Sequence, residues 1–521
     1  MPVLGCQIER RAGSLARPTS NSSSMPSCDN AFTTIASMRP ERIFLLMIAG
    51  ALICVPALAS QTPVAPTPLV LTGGTVIDVS DWGRSANDLT NAVVIIQGDK
   101  ITDVGPASTL PIPKGAHVID CTGKFIIPGL VDGFEGMNSQ AEASANLYLG
   151  VTTAVVSSDK YRGHVDFAVS PSPHLYLLDS VGTTDDWSLL IGHNGWASTL
   201  RVIGHPTELS PEETQRQLAD TAKLGTKAVY LGHDLTAVNT QWIIAQAHQM
   251  GLVTYGEFVA TPYRVGIEAG VDVLLHMGQY ELGLIPDELQ VPLVDDPEGS
   301  AATTAYGYSE RLPPTDLHVA RYARFIASHH AALMPTFAMY YLRLPGHRNL
   351  WNEPAAALLD PARMFNPPDR KTGEMDYPLP TWARHLPGVA QRYEEESLRK
   401  KSDQAAMRLW RLNQAMFSAF PHYLAASGAL VDGSFPGISL HVELEMLVRL
   451  GLTPREALAA ATNNYAIQFN WTELGEVAPG RRADVLVVDG DPTLNIWNAR
   501  RISTLILGGN VIDRQSLLKM Q

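Results

Sequence analysis

Two carboxylates close the apolar run IIPGLVDGFEGM at residues 126–137. A run that stops at an acid and is followed by small residues is typical of a buried strand whose carboxyl end reaches a functional surface. Acidic side chains at such an end suit proton transfer or metal binding. Here Asp132 and Glu135 stand beside Phe134 and glycines, so this set alone is a poor binding site.

Strand and helix patterns alternate along the middle of the chain, and the alternation predicts an α/β fold with a parallel sheet. The segments are LGVTTAVVSS, PEETQRQLADTAKLG, TKAVYLG, NTQWIIAQAHQMG, LVTYGEF, TPYRVGIEAG and VDVLLHMG. Residues 128–474 are enough for an eightfold (β/α)8 TIM-type barrel with insertions. We expect one long insertion at about 293–391, where the pattern gives way to Pro-, Trp- and Arg-rich sequence typical of a lid or contact surface.

Short β-branched runs separated by Gly-Gly, Gly-Asp and Thr-Gly pairs come before the barrel pattern, and we interpret them as hairpins. The same pattern of short β-branched runs recurs only near the C-terminus, in GRRADVLVVDGDPTLN and ISTLILGGNVID. We therefore predict a small β-sandwich domain built from both ends of the mature chain, with parts at 66–127 and 475–521.

The N-terminal region has the pattern of an export signal. Residues 38–59 carry two arginines, an apolar stretch and the small-residue run Ala57-Leu58-Ala59. We predict an upstream extension at 1–37, a signal peptide at 38–59 and an exported protein, periplasmic or secreted. A lipid anchor at Cys54 is the rival interpretation. After cleavage only Cys121 remains, so we expect a core without an internal disulfide.

The charge balance limits the partners. The 521 residues include 39 Lys and Arg against 52 Asp and Glu, a formal charge of -13. Nucleic acid and anionic membranes reward basic surfaces, so we expect neither as a partner. A small-molecule substrate or ligand is the expected partner.

The motifs, taken in order, resemble the amidohydrolase superfamily in its imidazolonepropionase/prolidase-like branch. The likeness covers nearly the whole mature chain and is most specific in ELEMLVRLGLTPREALAAATNNYA, LGEVAPGRRADVLVVDGDP and VID. It implies a hydrolase of carbon–nitrogen bonds, in non-peptide or dipeptide-like compounds. The family's barrel mouth binds one or two divalent ions that activate water.

Carried over position by position, the resemblance implies a depleted ligand set. The family's Asp-x-His-x-His run corresponds to residues 132–136, with Phe134 and Gly136 in the histidine places. Tyr230 falls near the place of the bridging lysine, and Gly256 takes that of the fifth-strand histidine, with Glu257 beside it. His276 in VDVLLHMG and Asp432 in ALVDGS look retained, so four of six positions are replaced. We expect no metal at the usual site.

The remaining polar residues leave several interpretations open. Glu257, His276 and Asp432, with Glu135 or His233 adding, are chemically able to bind one divalent ion such as zinc. In the alternative, His276 bonds a neighbouring carbonyl and Asp432 caps a helix or lies in a loop. We expect Tyr230 to pack or hydrogen-bond rather than react. Loop or helix roles are also the expectation for further histidines, which are His193, His329 and His330.

Three functions remain open on the sequence. The first is a hydrolase with a reduced, mononuclear or metal-free site at Asp432 and His276, with Glu135, Tyr230 and Glu257 lining the pocket. The second is a pseudoenzyme that acts as the partner subunit of an intact paralogue, in a homo- or hetero-oligomer. The third is an exported binding protein without turnover.

Overall fold

The computed structural model describes residues 67–157, 169–181, 208–232, 235–258, 260–286, 311–364, 366–375, 395–419, 421–431 and 433–519. The predicted upstream extension at 1–37 and signal peptide at 38–59 lie outside these residues. So do three of the candidate side chains, which are His193, His233 and Asp432. Among the described residues, no helix combines the length and the apolar character needed to cross a membrane.

Strands from both ends of the described chain hydrogen-bond into one mixed sheet, here called the terminal sheet. Its order is β16-β15-β14-β5-β1-β2-β3, with β4 also paired to β1. Strands from the two ends thus share one continuous sheet. A two-layered β-sandwich stays a prediction. The strands are β1 Leu69–Val76, β2 Leu89–Gln97, β3 Lys100–Pro106, β4 His117–Asp120, β5 Phe125–Pro128, β14 Val485–Val488, β15 Ile502–Leu507 and β16 Asn510–Ile512.

The predicted hairpins are only partly observed. Strands β2 and β3 pair antiparallel across Gly98-Asp99, as expected. In contrast, β1 runs on through its Gly-Gly pair with an irregular register, because Gly73 takes a positive φ of 81° that local bulging requires. The Thr-Gly pair at 122–123 does not join a hairpin either, since β4 and β5 both pair parallel to β1.

A second sheet of eight parallel strands follows the chain order and gives the molecule a TIM-like α/β fold. Backbone bonds also join its first strand to the segment after its last, from Gly133 N to Ala425 O (3.3 Å) and from Gly428 N to Phe134 O (2.9 Å). The strands are β6 Leu130–Glu135, β7 Val151–Ser157, β8 His174–Ser180, β9 Ala228–Leu231, β10 Val253–Gly256, β11 Val273–Leu275, β12 Ala332–Met334 and β13 His422–Tyr423.

Most of the helices pack against the outer face of the parallel sheet, whereas the helix Asn463–Phe469 contributes Tyr465 and Phe469 to the core inside it. Many of their N-termini are capped by side chains, for example Ser210, Thr236 and Thr453, which satisfy otherwise unpaired backbone N–H groups. The helices are α1 Ser80–Gly83, α2 Gln140–Tyr148, α3 Pro211–Lys223, α4 Ala237–Gln249, α5 Tyr263–Glu268, α6 Met277–Tyr280, α7 Leu317–Ser328, α8 Glu395–Phe417, α9 Ile438–Leu450, α10 Pro454–Ala460, α11 Asn463–Phe469 and α12 Arg514–Leu517. Short 3-10 helices cover Glu281–Leu284, Phe337–Arg343, Leu350–Asn352, Pro354–Leu358, Pro361–Arg363 and Ile496–Arg500.

The predicted insertion at about 293–391 contains part of the barrel itself. Helix α7 and strand β12 lie within it, and β12 is the seventh strand of the parallel sheet. The sequence signal failed here because β12 has only three residues, too few to show a period. The other described residues of this range form loops and four of the short 3-10 helices.

Two separate apolar cores set which side chains face the inside of the barrel sheet. Alternate residues of β10, Val253 and Tyr255, belong to the inner core. Leu231 and Leu274 belong to the outer core with the helices. Side chains alternate between the two faces of a strand, so every second position along each strand points into the barrel.

Candidate functional site

Three polar side chains meet inside the barrel, at the carboxyl ends of three adjacent strands. Tyr230 lies on β9, Glu257 follows β10 and His276 follows β11. The Tyr230 hydroxyl donates to Glu257 Oε2, and His276 Nε2 lies 3.8 Å from the same oxygen. Glu257 is 7% exposed and His276 9% exposed. The three residues, here called the mouth triad, form a largely desolvated polar group at the barrel's functional end.

Register decides that Glu257, rather than Gly256, belongs to this group. Glu257 stands two residues beyond Tyr255, which faces the inner core, and its carboxylate bonds the Tyr230 hydroxyl. A Cβ added at Gly256 would meet Phe258 at 2.6 Å and Val271 at 3.1 Å, and both are residues of the outer core. The position matched to the family's histidine therefore points away from the mouth, while the neighbouring carboxylate points into it.

Thr336 positions the imidazole of His276. The Thr336 hydroxyl lies 2.7 Å from His276 Nδ1 and donates its single proton to the Pro335 carbonyl at 2.7 Å. His276 Nδ1 must then be the donor to Thr336, because a hydroxyl has only one proton. In the neutral ring this leaves Nε2, the nitrogen that faces Glu257, as a proton acceptor.

Both residues of this contact hold unusual backbone conformations. His276 has a φ of 55° and Thr336 a φ of 49°, in the region that β-branched and bulky residues avoid. Both follow the last residue of a barrel strand by one or two positions. The surrounding structure must hold them there, and such outliers concentrate at functional sites.

Phe134 occupies the space beside the histidine. Its ring meets the His276 ring edge-on with centroids 5.1 Å apart, and lies 6.5 Å from the Tyr230 ring. The resemblance implies a metal-binding histidine at this position. An aromatic side chain here supplies an apolar wall and no ligand atom.

Glu135 and Asp132 have partners outside the mouth triad. Both carboxylate oxygens of Glu135 accept from the Asn146 amide of α2, at 2.9 and 3.0 Å. Asp132 Oδ1 accepts from the backbone N–H of Ser427 at 2.9 Å. The first carboxylate thus faces a helix, and the second ties β6 to the segment after β13.

A buried acid lies close to the same region. Glu443 of α9 has no solvent exposure, and its Oε2 accepts from Ala338 N at 2.8 Å. Burial raises the pKa of the Glu443 carboxyl well above its ordinary value, with the charge of Asp132 acting in the same direction. Its hydrogen bond from Ala338 N secures the backbone turn that begins at Thr336.

The described side chains do not fit a metal centre of the family type. His276 and Glu257 are two donors, and a zinc site needs at least three protein ligands. Across the described ranges, no group of three or more His, Cys, Asp or Glu side chains is placed to hold a metal ion. The predicted one-ion site also needs Asp432, which lies outside these ranges, so that site stays a prediction.

What the mouth triad can do is proton transfer. A group bound against His276 Nε2 is also within reach of Glu257 Oε2, because the two atoms are 3.8 Å apart. That distance is too long for a direct hydrogen bond. It is short enough for the Glu257 carboxylate to stabilise the positive charge that forms when the imidazole accepts a proton.

Sequence reasoning missed Thr336, Asn146 and Glu443. Thr336 was within reach, since it follows the strand ALM just as His276 follows VLL, and carboxyl ends of parallel strands share one edge. Asn146 and Glu443 lie on helices whose residues are mostly buried, and they carry no such signal. The histidines His329 and His330 lie at the end of α7, where His329 Nδ1 bonds Phe325 O.

A family model matches the C-terminal part of the chain. The Amidohydrolase family model matches residues 424–512, which run from the end of the barrel into the terminal sheet. This match agrees with the resemblance to the amidohydrolase superfamily.

Individual curated relatives match over short stretches of sequence. The imidazolonepropionase of Deinococcus radiodurans is 38% identical over 97 residues, covering 17% of this chain and 23% of that protein. The adenine deaminase 2 of Agrobacterium fabrum is 38% identical over 79 residues, covering 15% and 13%. The chain thus matches less than a quarter of the length of these curated relatives.

Two solved structures share the fold over most of both chains. A Xaa-Pro dipeptidase with bound methionine in its active site has a TM-score of 0.56 at 15% identity, covering 86% of this chain and 100% of that one. A molinate hydrolase has a TM-score of 0.56 at 15% identity, covering 87% and 96%. Likeness at this identity supports the shared fold.

Proposed function

We propose that this chain hydrolyses a carbon–nitrogen bond in a small non-peptide or dipeptide-like molecule, with Tyr230, Glu257 and His276 as the working groups. The observation that carries the proposal is their convergence inside the barrel at the carboxyl ends of β9, β10 and β11. The family-model match and the names of the similar proteins support the reaction class at this coarse level.

The geometry supports proton transfer by His276 and a supporting role for each of the other two residues. His276 Nε2 accepts a proton from water as the water oxygen bonds the carbonyl carbon, and returns it to the nitrogen as the carbon–nitrogen bond breaks. Glu257 stabilises the imidazolium between these steps. Tyr230 fixes the carboxylate through its hydrogen bond. General acid–base groups of this kind contribute roughly 10²–10⁴-fold to a rate.

A second candidate is a binding protein or non-catalytic subunit without turnover. Phe134 favours it, because its ring packs against His276 where the resemblance implies a metal ligand. Under this proposal the protein holds a small molecule at the mouth, alone or beside an intact paralogue.

One comparison separates the two candidates. The purified protein is assayed against a panel of amides, lactams, ureas and dipeptides, next to His276→Gln and the surface control His117→Ala. Hydrolysis that falls at least about 10²-fold in His276→Gln and persists in His117→Ala supports the hydrolase. Activity equal in all three proteins refutes the role of His276. If no compound is hydrolysed but one binds saturably, the binding function replaces the hydrolase proposal.

We also propose that the mature protein is exported to the periplasm or outside the cell. The pattern at 38–59 supports this, with cleavage near Ala59. N-terminal sequencing of secreted material tests it. A mature protein that begins upstream of Met38 contradicts it.

A further inference from the structure

A cationic pocket lies beside the barrel mouth, outside the mouth triad. It has a volume of about 1050 Å³, in the upper range of small-molecule sites. One wall is a single face of α8, and the opposite wall comes from residues 311–314 and 342–347. None of the three triad residues lines it. A separate ligand is therefore able to occupy it.

The charge of this pocket is opposite to that of the whole chain. Its lining includes five Arg or Lys side chains and two carboxylates, whereas the chain carries -13. The basic side chains are Arg311, Arg343, Lys400, Arg408 and Arg411, and the acidic ones are Glu374 and Asp403. A concave surface of one sign concentrates ligands of the other sign.

Two of the charges already serve the fold. Arg408 makes a bidentate ion pair with Glu281, at 2.6 and 2.9 Å. Glu374 lies 3.6 Å from His347 Nε2. These contacts fix α8 and the 342–347 wall, so the pocket is held by structure on two sides.

Three of the five cations are available to a ligand. In the described part of the chain, no hydrogen bond or ion pair engages Arg311, Lys400 or Arg411, and all three are exposed. Lys400 and Arg411 lie 11 residues apart on α8, three helical turns, and so share a face. Apolar side chains lie between them and on the facing wall, including Met407, Leu312 and Leu344.

We propose that this pocket binds a small organic anion, a carboxylate or phosphate attached to an apolar body. Guanidinium groups pair with both anions in bidentate geometry, and the ammonium adds charge. The apolar lining accepts the body of the ligand. The site is distinct from the mouth triad, and its occupancy does not depend on hydrolysis.

The test measures binding by calorimetry with three probes and the mature protein. The probes are N-acetyl-leucine, which joins a carboxylate to an apolar body, its uncharged amide, and inorganic phosphate. We expect saturable binding of N-acetyl-leucine that weakens with salt and is lost with the amide. Phosphate binding alone would assign the site to a free phosphate group. Binding of neither anion overturns the proposal.

Charge-reversal variants locate the binding. We expect Lys400→Glu/Arg411→Glu to weaken N-acetyl-leucine or phosphate at least about tenfold. The matched control is Arg321→Glu/Arg324→Glu, which reverses two exposed charges on α7 outside the pocket lining. Equal weakening in both variants, or none in either, contradicts the assignment. Unchanged binding in His276→Gln separates this site from the proposed hydrolytic one.

Discussion

His276 and Thr336 face each other across two neighbouring strand ends, with 2.7 Å between the imidazole Nδ1 and the threonine hydroxyl. The contact fixes which ring nitrogen carries the proton, and directs Nε2 towards Glu257. Thr336, which has no proposed catalytic atom of its own, thereby sets the tautomer of His276 in the proposed site.

Replacing Thr336 tests this arrangement. We expect Thr336→Val to lower the free energy of unfolding by about 1–3 kcal/mol, because His276 Nδ1 loses its partner in a buried site. Thr336→Ser keeps the hydroxyl and is the matched control. Denaturant unfolding measures both variants, and a Val variant as stable as the Ser variant would contradict the contact.

Metal analysis tests whether the residues at the barrel mouth bind a metal ion. We expect the purified mature protein to hold less than about a tenth of an equivalent of zinc, manganese or iron, because two donors do not make a site. A full equivalent that falls in both Glu257→Ala and His276→Ala would instead support the one-ion site with Asp432. A full equivalent unchanged in both variants would place the metal elsewhere and discard that site.

A buried histidine predicts a pH dependence of stability. Burial, and then the charge of Arg500, lower the pKa of His441 to about 4, while its Nε2 donates to Leu149 O at 2.8 Å. Below pH 6.5, the ordinary pKa of histidine, His441 is protonated in the unfolded chain but stays neutral in the folded chain until about pH 4. The free energy of unfolding therefore decreases as the pH is lowered from 6.5 to 4. From pH 7 to pH 5 this group alone should cost about 2 kcal/mol.

The control for this prediction is His441→Gln, whose amide can donate to the same carbonyl without titrating. Unfolding free energies at pH 7 and pH 5 should differ less in the variant than in the parent protein. Equal differences in the two proteins would show that other groups control the loss of stability at low pH.

The ion network at the amino-terminal end of the barrel predicts a stability effect. Arg482 donates to Asp484 Oδ2, to Thr153 Oγ1 at 2.7 Å and to the Tyr176 hydroxyl at 3.2 Å. We expect Arg482→Met to cost about 3–5 kcal/mol, since it leaves the Asp484 carboxylate without its main cationic partner in a buried site.

The surface pair of Arg216 and Glu213 supplies the control for that change. The Arg216 side chain is 63% exposed, so Arg216→Met should change stability far less than Arg482→Met. Thermal or denaturant unfolding compares the two variants. Similar losses in both would mean that the buried network adds little.

Much of the fold was predictable because it depends on local patterns. The segment TKAVYLG predicted β9, the capped run PEETQRQLADTAKLG predicted α3, and VDVLLHMG predicted β11 with His276 at its end. Period and capping reach only a few residues along the chain. Strand β12 was lost inside the predicted insertion because three residues show no period.

The sequence by itself predicted the resemblance to the amidohydrolase superfamily, several of the barrel strands and the residue types at their ends, since these follow from patterns local to each segment. Tertiary structure decided that Glu257 rather than Gly256 faces His276, that Glu135 turns to Asn146, and that Thr336 holds the imidazole. A shift of one residue turns a strand side chain to the opposite face, and only packing of the inner and outer cores against each other fixes that register.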